Sequence, residues 1–479
     1  MELEHLSGRI PCKIRFLTNL KHNLFRGKIL MRRRNKQSGS IPLRVNTIFR
    51  SLRHRNYRLF FSGQSISLIG TWMQRIALPW AVYRMTDSEV LLGVVGFASS
   101  IPSFLLAPFA GVLIDRWSRY RVMLVTQIIS MIQAGILAWL SLSGGLDIWH
   151  IIVLSLALGI INTFDMPARH SFVINMVNGK EDIGNAIALN SMMFNGARLI
   201  GPSMAGILLA AAGEGACFLI NAVSYIFVIA SLLMMNVTET REKKERTPMF
   251  RELKEGLTYT FGFAPIKHII LLLGLVSFMG ASYQVLMPVY AKDILHGDSH
   301  TYGFLMGGAG AGALLGAIFL ASRDTVLRLG RLIPAATALL SVGLIALSLT
   351  SSFFISMFLL FFTGLGMMTQ TAASNTILQT ITDEDKRGRV MSFYTMALMG
   401  TAPFGSLLAG WMAKWIGTPW TIFAGGAVCL IGALIFYRRL QELRKLVRPV
   451  YVRMGILPEV AEGIRTATEP SSGRTDWDK

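Results

Sequence analysis

From Tyr57 onward the chain is a succession of apolar runs separated by short polar breaks. The runs cover 57–83, 90–114, 121–142, 148–168, 185–212 and 215–236. After a longer polar stretch they resume at 267–290, 302–322, 331–350, 353–375, 389–414 and 419–437. A helix needs about 20 apolar residues to cross a hydrocarbon core about 30 Å thick, and these runs have that length. Apolar and polar residues do not alternate along them, so membrane strands are excluded. A soluble helical core would carry apolar stripes rather than helices apolar all round. The pattern therefore predicts an all-α membrane protein with twelve transmembrane helices.

Composition agrees. Of 479 residues, 52% are hydrophobic and 15% charged, and the mean hydropathy is +0.49. A soluble protein carries about 25% charged residues. The net charge of +20 would raise nucleic acid as a partner if the basic residues formed a patch on a folded face. Their placement says otherwise. Residues 1–58 hold fifteen Lys and Arg against Glu2 and Glu4. Basic residues recur at Arg116, Arg119 and Arg121, through 241–267, at Arg323, Arg328 and Arg331, at Lys386, Arg387 and Arg389, and in 438–479. The alternate loops (84–89, 143–147, 213–214, 291–301, 351–352 and 415–418) hold only Arg84 and Lys292. By the positive-inside rule the basic side is cytoplasmic, with both termini there, in the inner membrane. The charge is a topology signal, and no nucleic-acid partner is expected.

No secretory signal peptide is visible, since Met1–Lys36 is basic throughout and has no apolar centre. Residues 1–45 read as a disordered arm suited to anionic lipid, with initiation at Met31 an equal alternative. Cys12, Cys217 and Cys429 have neither pairing nor metal spacing and read as free thiols. No metal or cofactor is expected.

The polar stretch 237–266 divides the chain into two sets of six helices. Its first part reads as a charged linker and its second as a short helix on the membrane surface. The organisation expected is a basic arm (1–56), a bundle (57–236), a linker (237–266), a second bundle (267–437) and a tail (438–479). The halves repeat. At one offset of 204, Gly184 falls on Gly388, Gly201 on Gly405, Gly206 on Gly410 and Gly213 on Gly417. This predicts two pseudo-symmetric six-helix bundles that arose by duplication.

At the basic end of the second span stands Gly111-Val-Leu113-Ile-Asp115-Arg116-Trp-Ser-Arg119. It resembles the G-x-L-x-D-R-x-G-R loop signature of the major facilitator superfamily, with Ser118 in place of a glycine and Tyr120 in place of a common basic residue. In the fifth span, Ala197-x-x-x-Gly201-Pro202-x-x-Ala205-Gly206 is similar to the antiporter motif G-x-x-x-G-P-x-x-G-G, with two glycines replaced by alanine. GTWMQRIALPW (70–80), FDMPARHSF (164–172) and RGRVMSFY (387–394) resemble the branch containing the enterobactin exporter and macrolide-efflux-type permeases. The likeness covers about 45–440. It implies a monomeric efflux transporter for a small amphiphilic molecule such as a siderophore or drug. Proton coupling and alternating access by rocking of the two halves are implied with it.

By these boundaries every Asp and Glu lies in a loop, a tail or a helix end, so no deep carboxylate is expected. Asp165, near the inner end of the fourth span, and Asp115 are the candidates for coupling to protons. The deep charges are Arg75 and Arg198. A central arginine costs about 2.5–3.5 kcal/mol on insertion scales, so both are expected to face a wet cavity or to tie helices together. The cavity reading takes Gln64, Trp72 and Gln74 as further polar and stacking contacts. Tyr283, Gln284, Gln370 and Asn375 are candidates from the second half.

Gly111, Asp115, Arg116 and Arg119 are expected to form a gate with Arg387 and Arg389. There cations and a helix N-terminus would favour the Asp115 carboxylate. Gly201, Pro202, Gly206, Pro403 and Gly405 are expected to let helices pack closely. No Walker A pattern appears, and no deep Ser/His/Asp set supports an enzyme. Uptake on the same fold, or a non-transporting partner role, stay open as alternatives.

Overall fold

The computed structural model describes residues 49–177, 179–236, 249–323, 325–454 and 456. The side chains of 107–109, 111–112, 115–116, 174–175, 180 and 249–254 also lie outside the described residues. A compact unit begins at Ser51. All regular elements among the described residues are helices: α1 (Arg55–Thr86), α2 (Glu89–Arg116), α3 (Arg119–Leu142), α4 (Ile148–Phe172), α5 (Lys180–Leu233) and α6 (Met249–Gly262). There follow α7 (Ala264–Ile294), α8 (Ser299–Ala321), α9 (Leu329–Ser348), α10 (Phe353–Ile381), α11 (Arg387–Ile416) and α12 (Thr418–Arg453).

Ten of these are long and apolar enough to cross a membrane. α5 holds two of the expected spans, because its backbone breaks at Gly213 (φ 75°, ψ −179°), giving limbs 180–212 and 214–233. α1 spans 32 residues but carries Gln64, Gln74 and Arg75, and is too polar to count among the ten. The last helix runs to Arg453, well past the apolar run that ended at 437. α6 is a helix in the second part of the stretch between the halves.

Two bundles result. In the first, α1 and α3 pack on α5, and α4 packs on α2 and α3; in the second, α10 packs on α8 and α9, and α9 on α12. Across the middle, α5 meets α8 and α2 meets α11. A two-fold operation exchanging the halves carries one of these seams onto the other.

The repeated glycines show why the duplication left its trace in them. Gly213 and Gly417 both have left-handed φ, 75° and 83°, which only glycine adopts without strain. A Cβ on Gly201 would lie 2.4 Å from Trp72 Cβ, and one on Gly405 would lie 2.1 Å from the Phe278 carbonyl oxygen. Each glycine thus lets its helix close on the first helix of its own bundle. A Cβ on Gly206 would lie 2.9 Å from Gly303 Cα, and one on Gly410 would lie 3.0 Å from Gly93 Cα. Both of these form the seams between halves. Gly184 and Gly388 have open space beside them.

α7 and α11 are each interrupted by a π-helical turn, at Val276–Gly280 and Met396–Gly400. The turns face one another: Ser277 Oγ donates to the Leu398 carbonyl, and Thr401 Oγ1 donates to the Gly274 carbonyl at 3.2 Å. Such turns free backbone groups that neighbouring hydroxyls must satisfy. Pro403 is buried in the turn that follows.

Candidate functional site

α1 and the first limb of α5 bring Trp72, Arg75 and Arg198 together. The Arg75 guanidinium lies 5.0 Å from the Trp72 ring centroid and that of Arg198 lies 5.7 Å from it. Arg75 stands one helical turn beyond Trp72 on α1. Arg198 stands one turn before Gly201 on α5, so the close approach at Gly201 carries it over the ring. Phe194, a turn earlier still, meets Trp72 edge-on at 5.7 Å.

Arg75 is exposed although it sits 20 residues into a 32-residue helix, and Arg198 is half-buried. No described carboxylate lies within 4 Å of either guanidinium. Each contact with the ring is worth about 0.5–2 kcal/mol. That does not offset an insertion cost of about 2.5–3.5 kcal/mol per arginine, and the two cations also repel. In the other half, the Tyr283 side chain on α7 is buried. Tyr283, Ser282, Phe278 and Gly405 line a small cleft inside the second bundle, between α7 and α11.

The other expected cavity residues are placed differently. Gln74 is buried inside the first bundle, where its amide donates to Gln133 at 3.2 Å and its carbonyl accepts from Asn221 at 2.7 Å. Gln64 is buried with an unpartnered carbonyl oxygen. In the second bundle Gln284 contacts the Met367 sulfur at 3.9 Å, and Gln370 is buried with an unpartnered amide nitrogen. Asn375 accepts from Gln379 at 2.6 Å. Of the expected cavity residues, Trp72, Arg75 and Arg198 converge.

The expectation of no deep carboxylate needs correction. Asp165 is 2% exposed and lies 17 residues into α4. Thr126 Oγ1 and Gln127 Nε2 donate to its Oδ1 at 2.9 and 2.7 Å, and Arg169 one turn on pairs with Oδ2. Arg169 is thus a third arginine inside the bundle. The apolar run ends at 168, which sets Asp165 at its border and Arg169 just beyond it. The helix continues to Phe172 because the ion pair, made within one turn, lets both charges enter together.

On the side poor in basic residues the halves are locked. Lys292 Nζ lies 2.5 Å from Asp87 and 5.2 Å from the Tyr83 ring, and the Tyr83 hydroxyl donates to Asp293. Within the first bundle, Arg84 pairs with Glu214 at 2.7 Å. Trp80 stacks on Tyr302 at 5.9 Å. The two lone cations on that side were visible in the sequence, and each marks a carboxylate partner. The close glycine approaches run from this side as far as Arg198–Gly310 and Phe104–Gly400, about halfway through.

On the basic side, the side chains of Gly111, Asp115 and Arg116 lie outside the described residues. Ser118, in the place of the motif's glycine, caps α3 by accepting from the Arg121 amide at 3.2 Å. The Tyr120 hydroxyl donates to the Leu232 carbonyl at 3.1 Å. Arg119 is half-buried at the start of α3. Arg389 pairs with Glu255 of α6 at 2.8 Å, and Arg387 Nε is buried without a hydrogen bond among the described residues. No cluster of metal-ligating side chains occurs among the described residues.

The profile of the family described as transmembrane secretion effector matches residues 46–449. The chain belongs to that family, within the major facilitator superfamily. It is 24% identical over 383 residues to the staphyloferrin A transporter of Staphylococcus aureus, covering 79% of this chain and 95% of that one. It is 21% identical over 403 residues to macrolide efflux protein A of Streptococcus pyogenes, covering 82% and 99%. Among solved structures it is similar to a bacterial homologue of the human lysosomal transporter Spinster in an inward-facing, unoccupied conformation. There the TM-score is 0.62 at 14% identity, covering 82% of this chain and 98% of that one. These likenesses agree with the efflux branch that the loop and helix motifs resemble.

Proposed function

We propose that the protein is a proton-coupled exporter of a small amphiphilic molecule such as a siderophore or drug. It works by alternating access in the bacterial inner membrane, with both termini cytoplasmic. One observation carries the reading. The halves are sealed by glycine contacts and cross-half hydrogen bonds on the basic-poor side, while Arg75 stays exposed halfway through the bundle. With the basic loops cytoplasmic, this supports a cavity open to the cytoplasm and closed to the outside, the state in which an exporter loads. Efflux among the relatives supports the direction. In the second state the lock at Tyr83, Asp87, Lys292 and Asp293 parts and the Asp115 loop closes against Arg387 and Arg389. Asp165 carries the proton: protonating it would release Arg169 and change the charge of the bundle's inner half.

Everted membrane vesicles with an acid interior test this, using labelled staphyloferrin A and a labelled macrolide. Uncoupler-sensitive accumulation in everted vesicles is expected. Accumulation in right-side-out vesicles only would make the protein an uptake permease. No flux in either would leave an assembly partner.

A further inference from the structure

We infer that the cargo is an organic dianion with a flat apolar body, held by Arg75 and Arg198 across the face of Trp72. The inference deepens the transporter reading above and rests on it. Both guanidiniums lie within 6 Å of one ring centroid, so the two cations are no more than about 11 Å apart. Neither has a described carboxylate within 4 Å.

The third arginine of this half makes the contrast. Arg169 is neutralised within one turn by Asp165, and that carboxylate is taken up fully by Thr126, Gln127 and Arg169. The bundle therefore neutralises Arg169 within its own helix and leaves Arg75 and Arg198 without a described carboxylate. Stacking on Trp72 orients the guanidiniums without neutralising them, and it leaves their N–H forks free for acid groups. Two fixed cations call for two negative charges. The Trp72 and Phe194 rings, 5.7 Å apart, supply an apolar wall for the body between those charges. Arg198 stands at the seam between the halves, where a Cβ on Gly310 would meet its carbonyl oxygen at 2.5 Å, so cargo held there can touch both halves, as a molecule that triggers their rocking must.

The test is calorimetric binding to the full-length protein in nanodiscs. The probes are naphthalene-2,6-dicarboxylate, its dimethyl ester, and a naphthalene of the same shape bearing two ammonium groups. The dicarboxylate is expected to bind saturably, and the ester and diammonium compounds at least tenfold more weakly. Arg75→Gln and Arg198→Gln are each expected to weaken the dicarboxylate by about tenfold or more. Arg75→Lys, which keeps the charge and loses the planar fork, should lose less. Equal binding of ester or diammonium, unchanged dicarboxylate affinity in both glutamine variants, or no dicarboxylate binding would overturn the inference. The wild-type comparison stands even if a variant misfolds. Binding has no direction, so failure of the vesicle assay overturns export and leaves this result standing. Preference for the dication in a working exporter sinks only the anion.

Discussion

A Cβ placed on Gly201 would stand 2.4 Å from the Cβ of Trp72. Trp72 Cβ is anchored to the backbone of α1, so no rotamer change relieves the clash and the two helices must part. That parting would carry Arg198, one turn away on α5, off the ring it covers at 5.7 Å. Gly201→Ala should therefore lower thermal stability by about 1–3 kcal/mol, the usual cost of overpacking, and abolish transport. Gly405→Ala, aimed at the Phe278 carbonyl oxygen at 2.1 Å, should be at least as severe. Gly196→Ala and Gly135→Ala, which meet nothing within 4 Å, should leave both properties unchanged. Unfolding midpoints in detergent and vesicle flux check all four.

The lock on the basic-poor side is graded by burial. The Lys292–Asp87 pair is exposed, with side chains 39% and 69% accessible, and an exposed pair contributes only about 0–1 kcal/mol. Lys292→Ala should shift the balance between states at most about fivefold. The Tyr83–Asp293 hydrogen bond is part-buried, joining the buried Tyr83 to the carboxylate of Asp293 at the surface, and charged hydrogen bonds contribute about 1.5–3 kcal/mol. Tyr83→Phe should open that side tenfold or more. Labelling of a single cysteine at Leu78 by an impermeant thiol reagent applied from outside reads the shift. Equal rates for the two variants would refute the grading.

The Asp165–Arg169 pair predicts a separation of stability from coupling. Asp165→Asn leaves the half-buried Arg169 without its charge partner, which costs up to about 3 kcal/mol. Removing both charges in Asp165→Asn/Arg169→Gln should recover much of that loss. If Asp165 carries the proton, the double variant should still exchange substrate for substrate while losing flux driven by a pH gradient. A double variant that regains pH-driven flux would assign the pair to structure alone.

The repeat, the spans and the two deep arginines were legible because each is a local property. Gly213 and Gly417 need a left-handed φ, the apolar runs need only length, and a charge inside an apolar run is conspicuous by itself. What joins Arg75 to Arg198 was not legible, because the shared Trp72 ring depends on a helix contact that Gly201 permits. Gln74 shows the converse. It lies beside Arg75 in sequence, yet about 100° round the helix it faces Gln133 and Asn221. Asp165 was hidden by its partner: a charge paired at i,i+4 ends an apolar run without ending the helix.

Arg389 offers the last test, since the gate proposed for it needs a change of partner. In this state it holds Glu255 on α6 at 2.8 Å, with side chains 27% and 47% accessible. Such a pair is worth about 0–1 kcal/mol, weak enough to be exchanged. If the Asp115 loop closes against Arg387 and Arg389 when the outer side opens, Asp115 and Glu255 compete for one guanidinium. Glu255→Gln should then favour the closed inner gate slightly, and Asp115→Asn should favour the open one. Arg389→Gln should slow turnover while leaving substrate affinity within about twofold, because the residue lies far from Trp72. Distances between spin labels on the inner ends of α2 and α11 report the gate directly. The decisive outcome is opposite signs for Glu255→Gln and Asp115→Asn. A shift in the same direction for both would mean that Arg389 anchors α6 and takes no part in gating.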